Sequence, residues 1–256
     1  MPLSRLAKLA QAIVRAAEVP SAETPASGSP GADVPLSEDL TVGDLILEWL
    51  VSQYGRENGG ETINRCERLL QLLAPGEDGL SSWQPVVLTT SETFALTAPG
   101  RAIYVTEGFL QLTGDDDAPL ALALAHEIAH HHLGHVAGGT PSRWRDWLGE
   151  AAGLPILAAA RVNRLLFSAE QEYAADRDGL ARCYRVGLEL PRCVALFDIL
   201  ARWERARREF GEGLPGEWLE ASTPFRAWLR ERLSGYPTLA ARHEAVEVER
   251  ALLESW

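Results

Sequence analysis

The stretch DDDAPLALALAHEIAHHHLGH, Asp115 to His135, decides the fold. It reads as a helix. Acidic residues stand where a helix N-terminus favours negative charge, and Pro119 falls in the first turn, where a missing N–H is tolerated. Leu and Ala then alternate up to Ala125, and both are good helix formers. A helix is expected over residues 118–138, apolar nearly all round and therefore buried. Within it, His126-Glu127-Ile128-Ala129-His130 has the spacing H-E-x-x-H. Positions i and i+4 lie on one helix face, so two imidazoles there can share one metal ion.

Five of the six histidines fall between positions 126 and 135. At about 100° per residue, His130 lies about 40° from His126, His131 about 140°, His135 about 180° and His132 about 240°. Only His126 and His130 share a face. His131, His132 and His135 are expected at the surface or behind the site. A histidine-rich tract can also hold metal loosely.

The chain around this helix has 256 residues, 46% of them hydrophobic, enough for one large domain or two small ones. Its formal net charge of -12 argues against holding nucleic acid or an anionic membrane by charge alone. No transmembrane segment is expected. The longest run free of charged residues and histidine, Gly79 to Ser91, falls short of the roughly 20 apolar residues a span needs. Residues 151–160, AAGLPILAAA, are also too short. Three cysteines without a CxxC pair suit a reducing compartment and free buried thiols. Residues 1–19 read as a basic amphipathic helix, with apolar positions from Leu3 to Ala17 broken by Arg5, Lys8 and Arg15. Such a helix touches a membrane surface, acts as a transit peptide, or packs on its own domain. A cytoplasmic chain is expected, with peripheral membrane contact through residues 3–17 or organelle targeting as the alternatives. Residues 20–36 read as a Pro/Ser/Gly-rich linker, and 37–256 as the main domain.

Helical periodicity is found at about 41–54 and 62–73. Three short segments rich in β-branched and aromatic residues follow, Gln84–Thr89, Thr93–Thr97 and Arg101–Val105, and read as a small sheet. Beyond residue 106 helices are expected at 107–113, 118–138, 142–149, 151–167, 168–186, 191–209, 223–234 and 238–254. The fold class is α+β, predominantly helical, with about three strands.

A tetrahedral zinc site of the catalytic kind takes three protein ligands. The third is sought in Ser168-Ala-Glu-Gln-Glu172-Tyr-Ala-Ala-Asp176, where Glu172 and Asp176 are i, i+4 on a helix. One could bind metal and the other orient a histidine from behind.

Taken together, Ala125–His130 and Glu172–Asp176 resemble the HtpX-like and CAAX-prenyl-protease-like zinc endopeptidases, a family with Oma-like and BepA-like members. The stretch FALTAPGRAIYVTEGFL, Phe94 to Leu110, resembles its strand, glycine turn, strand and helix. The resemblance covers about residues 40 to 250. It implies a zincin-like domain with the sheet on the HExxH helix, one zinc ion held by His126, His130 and Glu172, Glu127 as general base, and Asp176 behind the ligands. His135 falls where the family often has a further histidine, and Arg242 where it has an arginine. The family's late Thr-His-Pro is Gly235-Tyr236-Pro237 here, so Tyr236 is the candidate oxyanion donor in place of histidine. The implied activity is cleavage of unfolded or misfolded polypeptides by a Glu127-activated water. The strand 101–105, if at a sheet edge, could pair with substrate. The alternatives are a zincin-fold binding or chaperone-like module with weak or no catalysis, and a metal-sensing protein.

Overall fold

The computed structural model describes residues 36–75, 83–136, 167–209 and 236–255. The basic helix at 1–19, the linker at 20–36 but for its last residue, and the helices expected at 142–149, 151–167 (Phe167 apart) and 223–234 lie outside the described residues. The elements in chain order are α1 (Leu36–Tyr54), α2 (Glu61–Leu73), β1 (Gln84–Leu88), β2 (Ala95–Thr97), β3 (Ala102–Thr106), α3 (Glu107–Thr113), α4 (Asp117–His132), α5 (Ala169–Arg185), α6 (Leu190–Glu209) and α7 (Leu239–Leu253). Among the described residues the fold is α+β and mostly helical, with one small mixed sheet, as expected of a zincin-like peptidase domain. Among the described residues no helix is long and apolar enough to cross a membrane.

Helix α4 is the centre of the molecule. The Asp116 carboxylate caps it, accepting the Ala118 N–H at 3.0 Å. Arg192 of α6 reaches Asp116 at 2.9 Å, and Arg65 of α2 reaches Asp117 at 2.7 Å, so two neighbouring helices are tied to its start. Its Leu/Ala alternation has the period of a strand, yet the segment is helical. Both residue types favour helix, and burial on all sides removes the need for an amphipathic stripe. Leu120, Ala121, Leu124, Ala125 and Ile128 are fully buried, among Leu70 of α2, Val87 of β1, Ile103 and Val105 of β3, Leu180 of α5, and Val194 and Phe197 of α6. Each buried Leu or Ile stabilises the fold by about 1.5–3 kcal/mol. Cys66, Cys183 and Cys193 are free thiols within this core.

Two expectations are corrected. The helix expected to continue to 138 ends at His132. Gly134 takes φ 71°, a left-handed conformation open to glycine, and the His135 N–H turns back onto the His130 carbonyl at 2.8 Å. The other correction concerns the strand order, β1-β3-β2, with β1 parallel and β2 antiparallel to β3. The strand read at 101–105 is therefore central, with partners on both sides, and is not a substrate-binding edge. Among the described residues the edge nearest α4 is β2, which packs directly on that helix.

Candidate metal centre

Helix α4 supplies His126 and His130, one turn apart. Their Nε2 atoms face each other at 3.0 Å. Helix α5 supplies the acids. The Ser168 hydroxyl accepts the Gln171 N–H while the Gln171 side chain accepts the Ser168 N–H, a closed capping box that fixes where the helix begins. Glu172, in its first turn, has Oε2 3.6 Å from His126 Nε2 and Oε1 3.6 Å from His130 Nε2. One ligand atom from each of the three residues lies within 4.8 Å of the others, close enough to bind a metal.

Spacing left open which acid faces the histidines, and geometry answers it. Glu172 points at both Nε2 atoms. Asp176 lies behind, with Oδ1 accepting from His126 Nδ1 at 2.9 Å. Arg242 of α7 grips Asp176 with two bonds, Nε to Oδ2 at 2.7 Å and Nη2 to Oδ1 at 2.6 Å. Its third nitrogen, Nη1, reaches Glu172 Oε2 at 2.8 Å. The Tyr236 hydroxyl donates to the same Oε2 at 2.9 Å. His126, His130, Glu172, Asp176, Arg242 and Tyr236 thus lie together.

His135 joins them through the early end of α4. Its Nδ1 is 3.0 Å from Nδ1 of His130, a contact a continued helix would forbid. Phe167 stacks on the His130 ring at 3.7 Å between centroids and 20° between planes, fixing its orientation. The composition of the motif gave no sign of Phe167.

The donor set suits zinc. With Nδ1–H of His126 donated to Asp176 and Nδ1–H of His130 donated to His135, both Nε2 atoms are acceptors, and a cation or a proton between them satisfies their 3.0 Å approach. Metal–ligand bonds of about 2.0–2.1 Å in a tetrahedron separate ligand atoms by about 3.3 Å, and the three separations here bracket that value.

Titration follows the same arrangement. Burial alone would lower the His126 pKa, but the hydrogen bond and charge of Asp176, with Glu172, carry it above the ordinary value. Burial and the charge of His126 hold His130 well below it. Burial would raise Asp176, but Arg242 and His126 outweigh it and bring the carboxyl to about 2. The carboxylates of Asp176 and Glu172 hold Arg242 well above its ordinary value against its own burial.

Glu127 sits on the neighbouring face of α4. Burial pushes its carboxyl up to about 7, and it accepts a hydrogen bond from the Thr97 backbone N–H of β2.

Gly179 makes the convergence sterically possible. It follows Glu172 and Asp176 at i+7 and i+3 on the same stripe of α5. A Cβ there would stand 3.0 Å from the His126 backbone nitrogen and 3.3 Å from the Ala125 carbonyl carbon. Sequence reading passed over it, although its place on that stripe was visible. Gly179→Leu is expected to force α5 away from α4, lowering stability by about 1–3 kcal/mol. It is also expected to weaken zinc binding about tenfold or more, measured by competition with a chromophoric chelator. Unchanged zinc affinity would show that the close approach does not set the ligand geometry.

No curated protein matches the chain. Residues 64–142, a range that takes in most of α2, the sheet, α3 and the helix bearing His126 and His130, match the family model described as Peptidase family M48. That match and the grouping of His126, His130 and Glu172 support a metallopeptidase of this kind.

Proposed function

We propose that the protein is a zinc-dependent endopeptidase, similar to the HtpX-like and CAAX-prenyl-protease-like enzymes, that cuts extended segments of unfolded or misfolded polypeptides. One observation carries the reading: two imidazole nitrogens and the Glu172 carboxylate converge beside a buried carboxylate with an elevated pKa. His126, His130 and Glu172 would hold one zinc ion. A zinc ion there supplies Lewis acidity, which polarises the scissile carbonyl and acidifies water.

The chain's own residues do the rest. Glu127 takes a proton from the attacking water and passes it to the departing amine, so water adds across the C–N bond and the proton count closes. Asp176 and His135, bonded to the Nδ1 atoms, hold the two rings in the tautomers that leave Nε2 free. Arg242 fixes Asp176 and Glu172 together. The Tyr236 hydroxyl, beside Glu172, turns to donate to the carbonyl oxygen as charge builds on it. The substrate is read as an added strand on β2 rather than β3. The Thr97 N–H that meets Glu127 is outside the ladder with β3, so the edge of β2 that no strand pairs among the described residues faces the base.

Removal of zinc by a chelator is expected to abolish cleavage of casein, and stoichiometric zinc to restore it. Full cleavage by the chelated, metal-verified protein would contradict the reading. A binding module without catalysis is the second reading, since the Tyr236 hydroxyl donates to Glu172 where the resemblance expects histidine. Peptide capture without cleavage by the zinc-loaded chain would favour it.

A further inference from the structure

We propose that His131, with Thr97, is a positioning residue that clamps the edge strand β2 to the catalytic helix and so fixes the surface on which an extended peptide pairs. The inference rests on the peptidase reading for the identity of that peptide.

Helix α4 carries two interleaved i, i+4 pairs. His126 and His130 face α5 and its acids. Glu127 and His131, one position along, face β2. Both members of the second pair hold Thr97. Glu127 accepts its backbone N–H, and His131 Nε2 meets its side-chain Oγ1 at 2.6 Å. The His131 ring also hydrogen-bonds the backbone of Ala98. One imidazole thus spans two consecutive residues of the strand end.

The ring cannot readily swing away. The Trp83 indole, just before β1, meets it edge-on at 4.9 Å, and the Arg101 guanidinium lies 5.4 Å over that indole. Thr97 itself is fully buried, and its hydroxyl has two polar partners, the Ala102 carbonyl at 3.3 Å and the closer His131 ring. β2 is only three residues long, pairs with β3 through Ala95, Leu96 and Thr97, and has no second strand beside it among the described residues. A strand this short holds its position by side-chain anchorage as much as by its ladder. A displaced Thr97 would move the pairing edge and the donor to Glu127 together.

The test uses His131→Phe, which keeps an aromatic ring against Trp83 and removes both hydrogen bonds. Thr97→Val removes the hydroxyl at equal volume. The double variant and His131→Gln, which restores an acceptor, complete the set. Two readouts apply: backbone amide exchange over residues 95–98, and affinity for a fluorescein-labelled, proline-free unstructured peptide in the Glu127→Gln background, where the peptide stays intact. Each single variant is expected to speed exchange at these amides about tenfold and weaken peptide binding about tenfold, with zinc content unchanged. The double variant should lose no more than the singles, and His131→Gln should recover most of the loss. Unchanged exchange in His131→Phe, additive effects in the double variant, or faster exchange without loss of peptide affinity would overturn the inference. If the zinc-loaded chain neither binds nor cuts peptide, the peptidase reading falls and takes the substrate role of β2 with it. Peptide binding by the parent that His131→Phe leaves intact overturns the His131 role alone.

Discussion

Glu127→Gln is expected to cut the rate of casein cleavage by about 10²–10⁴-fold while zinc content and folding stay as in the parent. The substitution keeps shape and volume. It also keeps an oxygen to accept the Thr97 N–H, so β2 remains tethered. What it removes is the basic lone pair. Burial has already raised the Glu127 carboxyl to about 7, near the protonation state in which a base both accepts and releases a proton at neutral pH. The amide does neither. Because Glu127 is not one of the three grouped ligand residues, zinc binding should not change. Undiminished cleavage by this variant would remove Glu127 from the chemistry.

Arg242→Met is expected to destabilise the chelated protein by about 3–5 kcal/mol, the range for removing one partner of a buried ion pair. Arg242 donates twice to Asp176 and once to Glu172, and the two carboxylate side chains are 5% and 3% exposed. Methionine fills most of the volume but leaves two buried acids beside His126, without their main cation. The loss should be smaller in the zinc-loaded protein, because a divalent cation at Glu172 opposes the same negative charge. Thermal denaturation with and without chelator checks both parts. Equal destabilisation in the two forms would mean that Arg242 acts through packing, for instance against Phe197, whose ring its guanidinium faces at 5.7 Å.

Much of the centre was legible because metal chemistry constrains spacing. His126 and His130 had to share a helix face, and the acids, Pro119 and the Leu/Ala run announced that helix. What depended on the third dimension was not legible. The angle that sent His135 to the far face assumed a helix through 138, but Gly134 ends it early and brings the ring back to His130. His131, placed by angle away from the metal, is indeed off that face, but the residue it meets belongs to β2, and no periodicity names a cross-element partner. Strand order was hidden for the same reason. Nothing in three short apolar segments says that the last of them lies in the middle, and a parallel β1–β3 pair is closed by residues distant along the chain. Spacing could not choose between Glu172 and Asp176, since both lie on one stripe. Their position along α5, relative to where Gly179 lets that helix touch α4, makes the choice.

Zinc per chain, measured after exhaustive dialysis in the parent, His130→Ala and Glu172→Ala, tests the centre most directly. One tightly held zinc in the parent, lost in both variants although they still fold, is the expected result. Several loosely held ions, or a single tight one that survives Glu172→Ala, would contradict a site built from two turns of α4 and the first turn of α5.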